Sequence, residues 1–214
     1  MKKILIAGYP DKTINYENAV RHMGAAPTTS LHVPAANDFD GLILPGGGDI
    51  EPKLFGQLNH GSQNVDSVLD RLQFAVLRAF IEDKKPVLGI CKGMQLINIY
   101  FGGDIYQHLP SYKKHEYCSH DQVHSTWAVP GSFLASLYGE SFFVNSAHHQ
   151  GVDTPGRNIS YLQFSDDGVA EGLSHEYLPV LGVQWHPERM CFEYQRSDTV
   201  DGSLVFDYFL MKIP

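Results

Sequence analysis

An α/β fold, built on a mostly parallel central sheet with helices on both faces, is what this chain's sequence predicts, and three observations carry the prediction. The segments 41–44 and 87–90 are short and apolar throughout, as strands buried on both faces are. The stretch 66–83 between them places Val68, Leu72, Ala75, Ala79 and Phe80 at helical spacing. The second strand stops at the sharp turn Cys91-Lys92-Gly93 and a helix follows through about Tyr100. Strand, helix, strand, turn, helix is the pattern of a parallel sheet covered on both sides.

The remaining elements follow in chain order. Residues 3–8 read as a short buried strand and 13–23 as an amphipathic helix with Thr13 as its N-cap. The second half is richer in strands: 124–129, 141–145, 159–164, 169–172 and 180–184 carry β-branched or aromatic residues between turn formers. Residues 203–212 form a closing helix, with Phe206, Tyr208 and Phe209 as core. The stretch 105–123, with its Tyr and His residues, is left unassigned. With 214 residues and no repeat, low-complexity tract or Gly/Ser linker, 1–214 is expected to be one domain.

Composition narrows the function classes. A net charge of -8 argues against a nucleic-acid partner, which needs a basic face. No apolar run approaches the roughly 20 residues that span a bilayer. The opening Met1-Lys2-Lys3-Ile4-Leu5-Ile6 faintly imitates a signal peptide, but its apolar stretch is short and Asp11 and Lys12 follow at once. Three scattered cysteines make no disulfide framework, and a cytoplasmic location is the expectation.

Two segments carry the chemistry. Gly89-Ile90-Cys91-Lys92-Gly93 has the form G-x-nucleophile-x-G between a strand and a helix, where glycines flank a tight turn that exposes the nucleophile at the helix N-terminus. The pentapeptide alone equally fits a buried structural cysteine. In Trp185-His186-Pro187-Glu188 the histidine can act as base and acid while the glutamate holds its tautomer; a lone H-P-E also suits a surface turn. The run Gly46-Gly47-Gly48 ends an apolar strand, so its amides can turn toward a developing oxyanion. It lacks the Lys-Ser/Thr of a P-loop and the G-x-G-x-x-G spacing, which argues against a nucleotide.

Together these motifs resemble the class I glutamine amidotransferase superfamily, in its γ-glutamyl-γ-aminobutyrate hydrolase (putrescine-utilisation) branch. The matching landmarks are L-P-G-G-G-D-I-E-P at 44–52, P-V-L-G-I-C-K-G-M-Q-L-I-N at 86–98, G-G-D-I-Y-Q at 102–107, V-N-S-A-H-H-Q at 144–150 and G-V-Q-W-H-P-E at 182–188, with Asp70 fitting in the helix between. The resemblance implies a flavodoxin-like sheet, a glutamyl thioester on Cys91, and His186 and Glu188 completing a triad. It implies oxyanion donors from the amides of Lys92 and of Gly47, with Gly46 the alternative. It also implies substrate contacts from Gln95 and from the segment Ser146, Ala147 and His148. Two departures stand out: Lys92 replaces the branch's usual arginine, and the segment before Gly41 is short.

The leading expectation is therefore a free-standing hydrolase of a small γ-glutamyl substrate. The alternative is a glutaminase subunit that delivers ammonia to a separate synthase; a binding protein without activity is the third reading. Neither cofactor nor metal is expected. His115, His120, His124, His148 and His149 form no H-E-x-x-H and suit no single helix face. Cys118 and Cys191 read as bystanders. Self-association is left open.

Overall fold

The computed structural model describes residues 1–35 and 38–214; the other two lie in the short segment ahead of Gly41. The elements run β1 (Lys3–Ile6), α1 (Ile14–His22), β2 (Ala26–Thr29), β3 (Gly41–Leu44), α2 (Ser67–Glu82), β4 (Val87–Ile90), α3 (Lys92–Tyr100), β5 (Ile105–Tyr106), β6 (Gln122–Ala128), α4 (Phe133–Tyr138), β7 (Ser141–Ser146), β8 (Gly151–Val152), β9 (Ile159–Ser165), β10 (Ala170–His175), β11 (Val180–Val183) and α5 (Ser203–Met211).

Nine strands form one sheet in the order β2-β1-β3-β4-β11-β10-β9-β6-β7, while β5 and β8 pair separately. From β2 to β11 every pairing is parallel. From β11 to β7 every pairing is antiparallel. Because side chains alternate across a strand, each parallel strand feeds two cores. Ile4, Ile6, Ile43, Leu88 and Ile90 pack with Tyr16, Val20, Val205, Phe206 and Phe209 of α1 and α5 on one face. Leu5, Leu42, Leu44 and Val87 pack with Val76, Leu77 and Phe80 of α2 and Met94, Leu96 and Ile97 of α3 on the other. That two-sided burial is why these segments read as unbroken apolar runs.

Several details differ from the expectation. Helix α2 forms where its periodicity places it, with the Asp66 side chain accepting from the amides of Val68 and Leu69. Its inward face, however, is Asp70, Gln73, Val76, Leu77 and Phe80, whereas Val68 is 57% exposed. Thr13 stands at the N-cap of α1 without a capping bond; its hydroxyl instead joins Glu17 and Thr29. Strand β2 contains Pro27, which is tolerated because β2 is an edge strand. The unassigned stretch 105–123 holds β5, a 3₁₀ turn at Tyr112–Lys114 and the start of β6.

Candidate active site

The carboxyl ends of β4 and β11, neighbours in parallel register with Ile90 beside Val183, bring the two chemical segments together. Cys91 follows β4 with φ 52° and ψ −108°, a conformation that non-glycine residues adopt only when the surroundings impose it. The surroundings do. Its amide donates to the Val183 carbonyl at 2.8 Å, and α3 begins at the next residue. The flanking glycines are required by space: a Cβ on Gly93 would lie 2.1 Å from the Leu44 carbonyl oxygen, and one on Gly89 would lie 2.6 Å from the Gly93 backbone.

After β11 the chain passes Gln184 and Trp185 to His186. The His186 backbone is gripped on both sides by Asn145, whose Oδ1 accepts its N–H at 2.8 Å and whose Nδ2 donates to its carbonyl at 3.1 Å. Pro187 opens a 3₁₀ turn that returns Glu188 to the imidazole, with Nδ1 and Oε1 at 2.8 Å. Arg189 braces the same carboxylate at 3.5 Å and bonds Asp121 at 2.8 Å. All three chemical groups are buried. Burial opposes the Cys91 thiolate, but the His186 charge beside it outweighs that and holds the thiol below its ordinary value. Burial likewise opposes a charged His186, yet Glu188 and then Cys91 raise its pKa to about 10. Both shifts favour a thiolate beside an imidazolium that Glu188 steadies.

The glycine loop lies over this pair. Gly46 donates its amide to the Tyr16 hydroxyl at 3.0 Å and so is committed elsewhere. The amides of Gly47 and Lys92 have no acceptor among the described residues, and both residues line a recess of about 90 Å³ with Cys91. The Lys92 side chain points away into the protein, where its ammonium meets Asp70 at 2.6 Å. Asp70 in turn accepts the Glu51 amide at 2.8 Å, tying the far end of the loop to α2.

Gln95, Ala147 and His148 line the same recess. Gln95 donates to Gln184 at 3.1 Å, and Gln184 donates to the Cys91 sulfur at 3.5 Å. Ser146 lines neither this recess nor the larger cavity; its hydroxyl is turned to the His115 carbonyl. The His148 amide is bonded to that carbonyl too, leaving Ala147 as the segment's open backbone position. The larger cavity, about 610 Å³, opens from Cys91 and His186 toward residues 9–16, Asp66 and Arg189.

Residues 7–188 match the Peptidase C26 family. This chain belongs to that family. The γ-glutamyl-γ-aminobutyrate hydrolase PuuD of Escherichia coli is 30% identical over 216 residues, covering 90% of this chain and 85% of that protein. Protein NtpR of Enterococcus hirae is 32% identical over 187 residues, covering 82% of this chain and 76% of that one. Among solved structures, a candidate GMP synthase component of Thermoplasma acidophilum superposes with TM-score 0.70 at 18% identity, covering 100% of this chain and 94% of its own. A glutamine amidotransferase of Thermotoga maritima superposes with TM-score 0.63 at 17% identity, covering 87% and 75%. The fold is that of the class I glutamine amidotransferases, and the family makes the chain a hydrolase of that type.

Within this C26 chain the sequence reading missed the supporting residues. Asn145 lies inside the V-N-S-A-H-H-Q landmark, but its grip on His186 crosses between distant segments. Tyr16 and Asp121 carry no motif at all. Of the five histidines considered as ligands, the fold assembles three, His115, His124 and His148, around the buried Glu171. His149 instead pairs with Asp49 at 2.9 Å, and His120 is exposed.

Proposed function

We propose that this chain hydrolyses the amide bond between the γ-carboxyl of glutamate and a small primary amine, with Cys91, His186 and Glu188 as its catalytic triad. The observation that carries the reading is Cys91 held at positive φ at the end of β4, beside a His186–Glu188 pair that follows the adjacent strand. The Cys91 thiolate attacks the γ-carbonyl carbon. The developing oxyanion accepts from the amides of Gly47 and Lys92, preorganised donors that need no rearrangement in the transition state. His186 gives its proton to the departing amine, leaving a glutamyl thioester on Cys91. It then takes a proton from water, whose oxygen attacks the thioester and releases glutamate and the thiol. Glu188 keeps the imidazole oriented and stabilises its charged form. Thiol, imidazole and carboxylate supply the nucleophile and the proton shuttle, so these steps draw on no cofactor.

The two cavities divide the substrate. The small recess by Gln95, Ala147 and His148 takes the glutamyl half, and the larger one takes the amine. The family and the name of the PuuD relative, at 30% identity, support γ-glutamyl amines as the substrate class. The test compares γ- and α-glutamyl amides of one amine. Polar groups left unpaired cost about 1–3 kcal/mol each, so the α-linked compound should react at least roughly tenfold more slowly, while varying the amine changes the rate little. Equal rates on the two linkages would overturn the reading. Free glutamine hydrolysed only when a synthase is added would transfer it to the ammonia-delivering class.

A further inference from the structure

Away from the nucleophile, Glu171 of β10 is wholly buried, and neither of its carboxylate oxygens has a hydrogen-bond partner among the described residues. A buried carboxylate left in that state is costly, because burial removes the water that stabilises its charge. Three imidazole nitrogens converge on its Oε1: Nδ1 of His115, Nε2 of His124 and Nε2 of His148, each at 3.6 Å. That separation is too long for a hydrogen bond.

The other ring nitrogens explain what is being oriented. His148 donates its Nδ1–H to the Gln150 carbonyl at 2.8 Å, so in the neutral ring Nε2 faces Glu171 with its lone pair. His115 donates its Nε2–H to the Asp167 carboxylate, at 3.1 Å from Oδ2, which leaves the lone pair on Nδ1. The Ser146 hydroxyl, 3.4 Å from that nitrogen, donates instead to the His115 carbonyl at 3.1 Å. With the rings neutral, lone pairs and an anion point at one another, an arrangement that a cation at its centre resolves, whether a proton on His148 or a metal ion. Imidazoles whose far N–H is fixed by a carboxylate or a backbone carbonyl are the usual support for metal ligation. The ligand atoms of His115, His148 and Glu171 also lie within 4.8 Å of one another. The 3.6 Å from Oε1 to each nitrogen is close to the edge of a tetrahedron whose central ion lies about 2.2 Å from its ligands, near the roughly 2.0–2.1 Å of zinc–imidazole bonds; the nitrogens themselves draw in around such an ion.

We infer that His115, His148 and Glu171 form a binding site for a divalent transition metal, of which zinc fits best, with His124, 3.6 Å from the same Glu171 oxygen, moving inward as the fourth ligand. Four protein ligands leave no open coordination position, so the ion is structural. It pins His148, a wall of the glutamyl recess, to β6 and β10. The expectation of no metal rested on spacing along the chain, whereas these ligands come from separate strands and loops. The inference does not depend on the proposed substrate.

The test reads metal directly. The full chain, produced in zinc-supplemented medium and desalted, should retain about one zinc per molecule. After chelation, zinc should raise its melting temperature, and cobalt should give the visible absorption of a four-coordinate nitrogen–oxygen site. Glu171→Gln and His124→Asn should each lose the retained zinc, and His120→Asn should keep it. Glu171→Gln alters the deepest ligand and can disturb folding. The less buried His124 and the cobalt spectrum of the unaltered chain therefore decide the matter. An unaltered chain that holds no more zinc than His124→Asn and shows no thermal response would overturn the site. So would a cobalt spectrum with a sulfur-to-metal band, which would place the ion on Cys91.

Discussion

Replacing Asp70 with Asn should destabilise the protein far more than an ordinary surface change. Asp70 and Lys92 have side-chain exposures of 0% and 2%, and their charged atoms meet at 2.6 Å. Asparagine keeps the size of the aspartate and an acceptor for the Glu51 amide, so the change removes little except the charge. What remains is a buried ammonium without a counter-ion, and stranding one partner of a buried pair typically costs about 3–5 kcal/mol. Set against a total stability of about 5–15 kcal/mol, that is a large fraction. In a chain of this length it corresponds to a fall in Tm of about 6–20 °C. Urea unfolding followed by far-UV circular dichroism would measure it. Adding Lys92→Met should recover most of the loss, because the second change removes the stranded charge. If Asp70→Asn costs under about 1 kcal/mol, or if the second change deepens the loss, the pair does not hold the glycine loop as argued.

Three more expectations concern the site. Limiting alkylating reagent at neutral pH should label Cys91, whose thiol is pulled down by His186, before Cys191, which burial pushes up to about 12, and before exposed Cys118, with activity lost in step; peptide mapping decides the order. The profile of kcat/KM should rise with pH as the pair loses the thiol proton, below the ordinary thiol value, and fall near pH 10 as His186 loses the proton owed to the leaving amine; an alkaline limb near 6.5 would contradict the raised imidazole. Replacing His186 with Ala should lower kcat more than Glu188→Gln, with the double variant little worse than His186→Ala alone, whereas additive losses would mean that the two work independently.

How far the sequence disclosed this arrangement depended on whether the signal was local. The elbow was legible because Gly89 and Gly93 must be small for reasons within a few residues, and the parallel strands because burial on both faces leaves unbroken apolar runs. Helix α2 was legible in extent but not in rotation. Its inward face includes Asp70 and Gln73, whose partners Lys92 and Ala7 come from other elements, so polarity misled the assignment of faces. Sequence alone could not tell the Gly46 and Gly47 amides apart, because it is Tyr16, far off in the chain, that occupies the Gly46 amide. The histidine assembly around Glu171 was hidden for the same reason, since β6, β10 and two loops must fold before its members meet.

The change of strand direction at β11 has a further consequence. Cys91 and His186 both issue from the parallel half of the sheet, whereas Ala147 and His148 hang from the antiparallel extension. The small recess therefore straddles the border between the two halves, with Gly47 and Gln95 from one and Ala147 and His148 from the other. On the proposed reading, alterations in the extension that keep Asn145, and with it the hold on His186, can retune which compound is accepted. A hybrid that grafts this extension, Asn145 kept, from one relative onto the parallel half of another should shift the acyl-group preference toward the donor while retaining the turnover chemistry of the recipient.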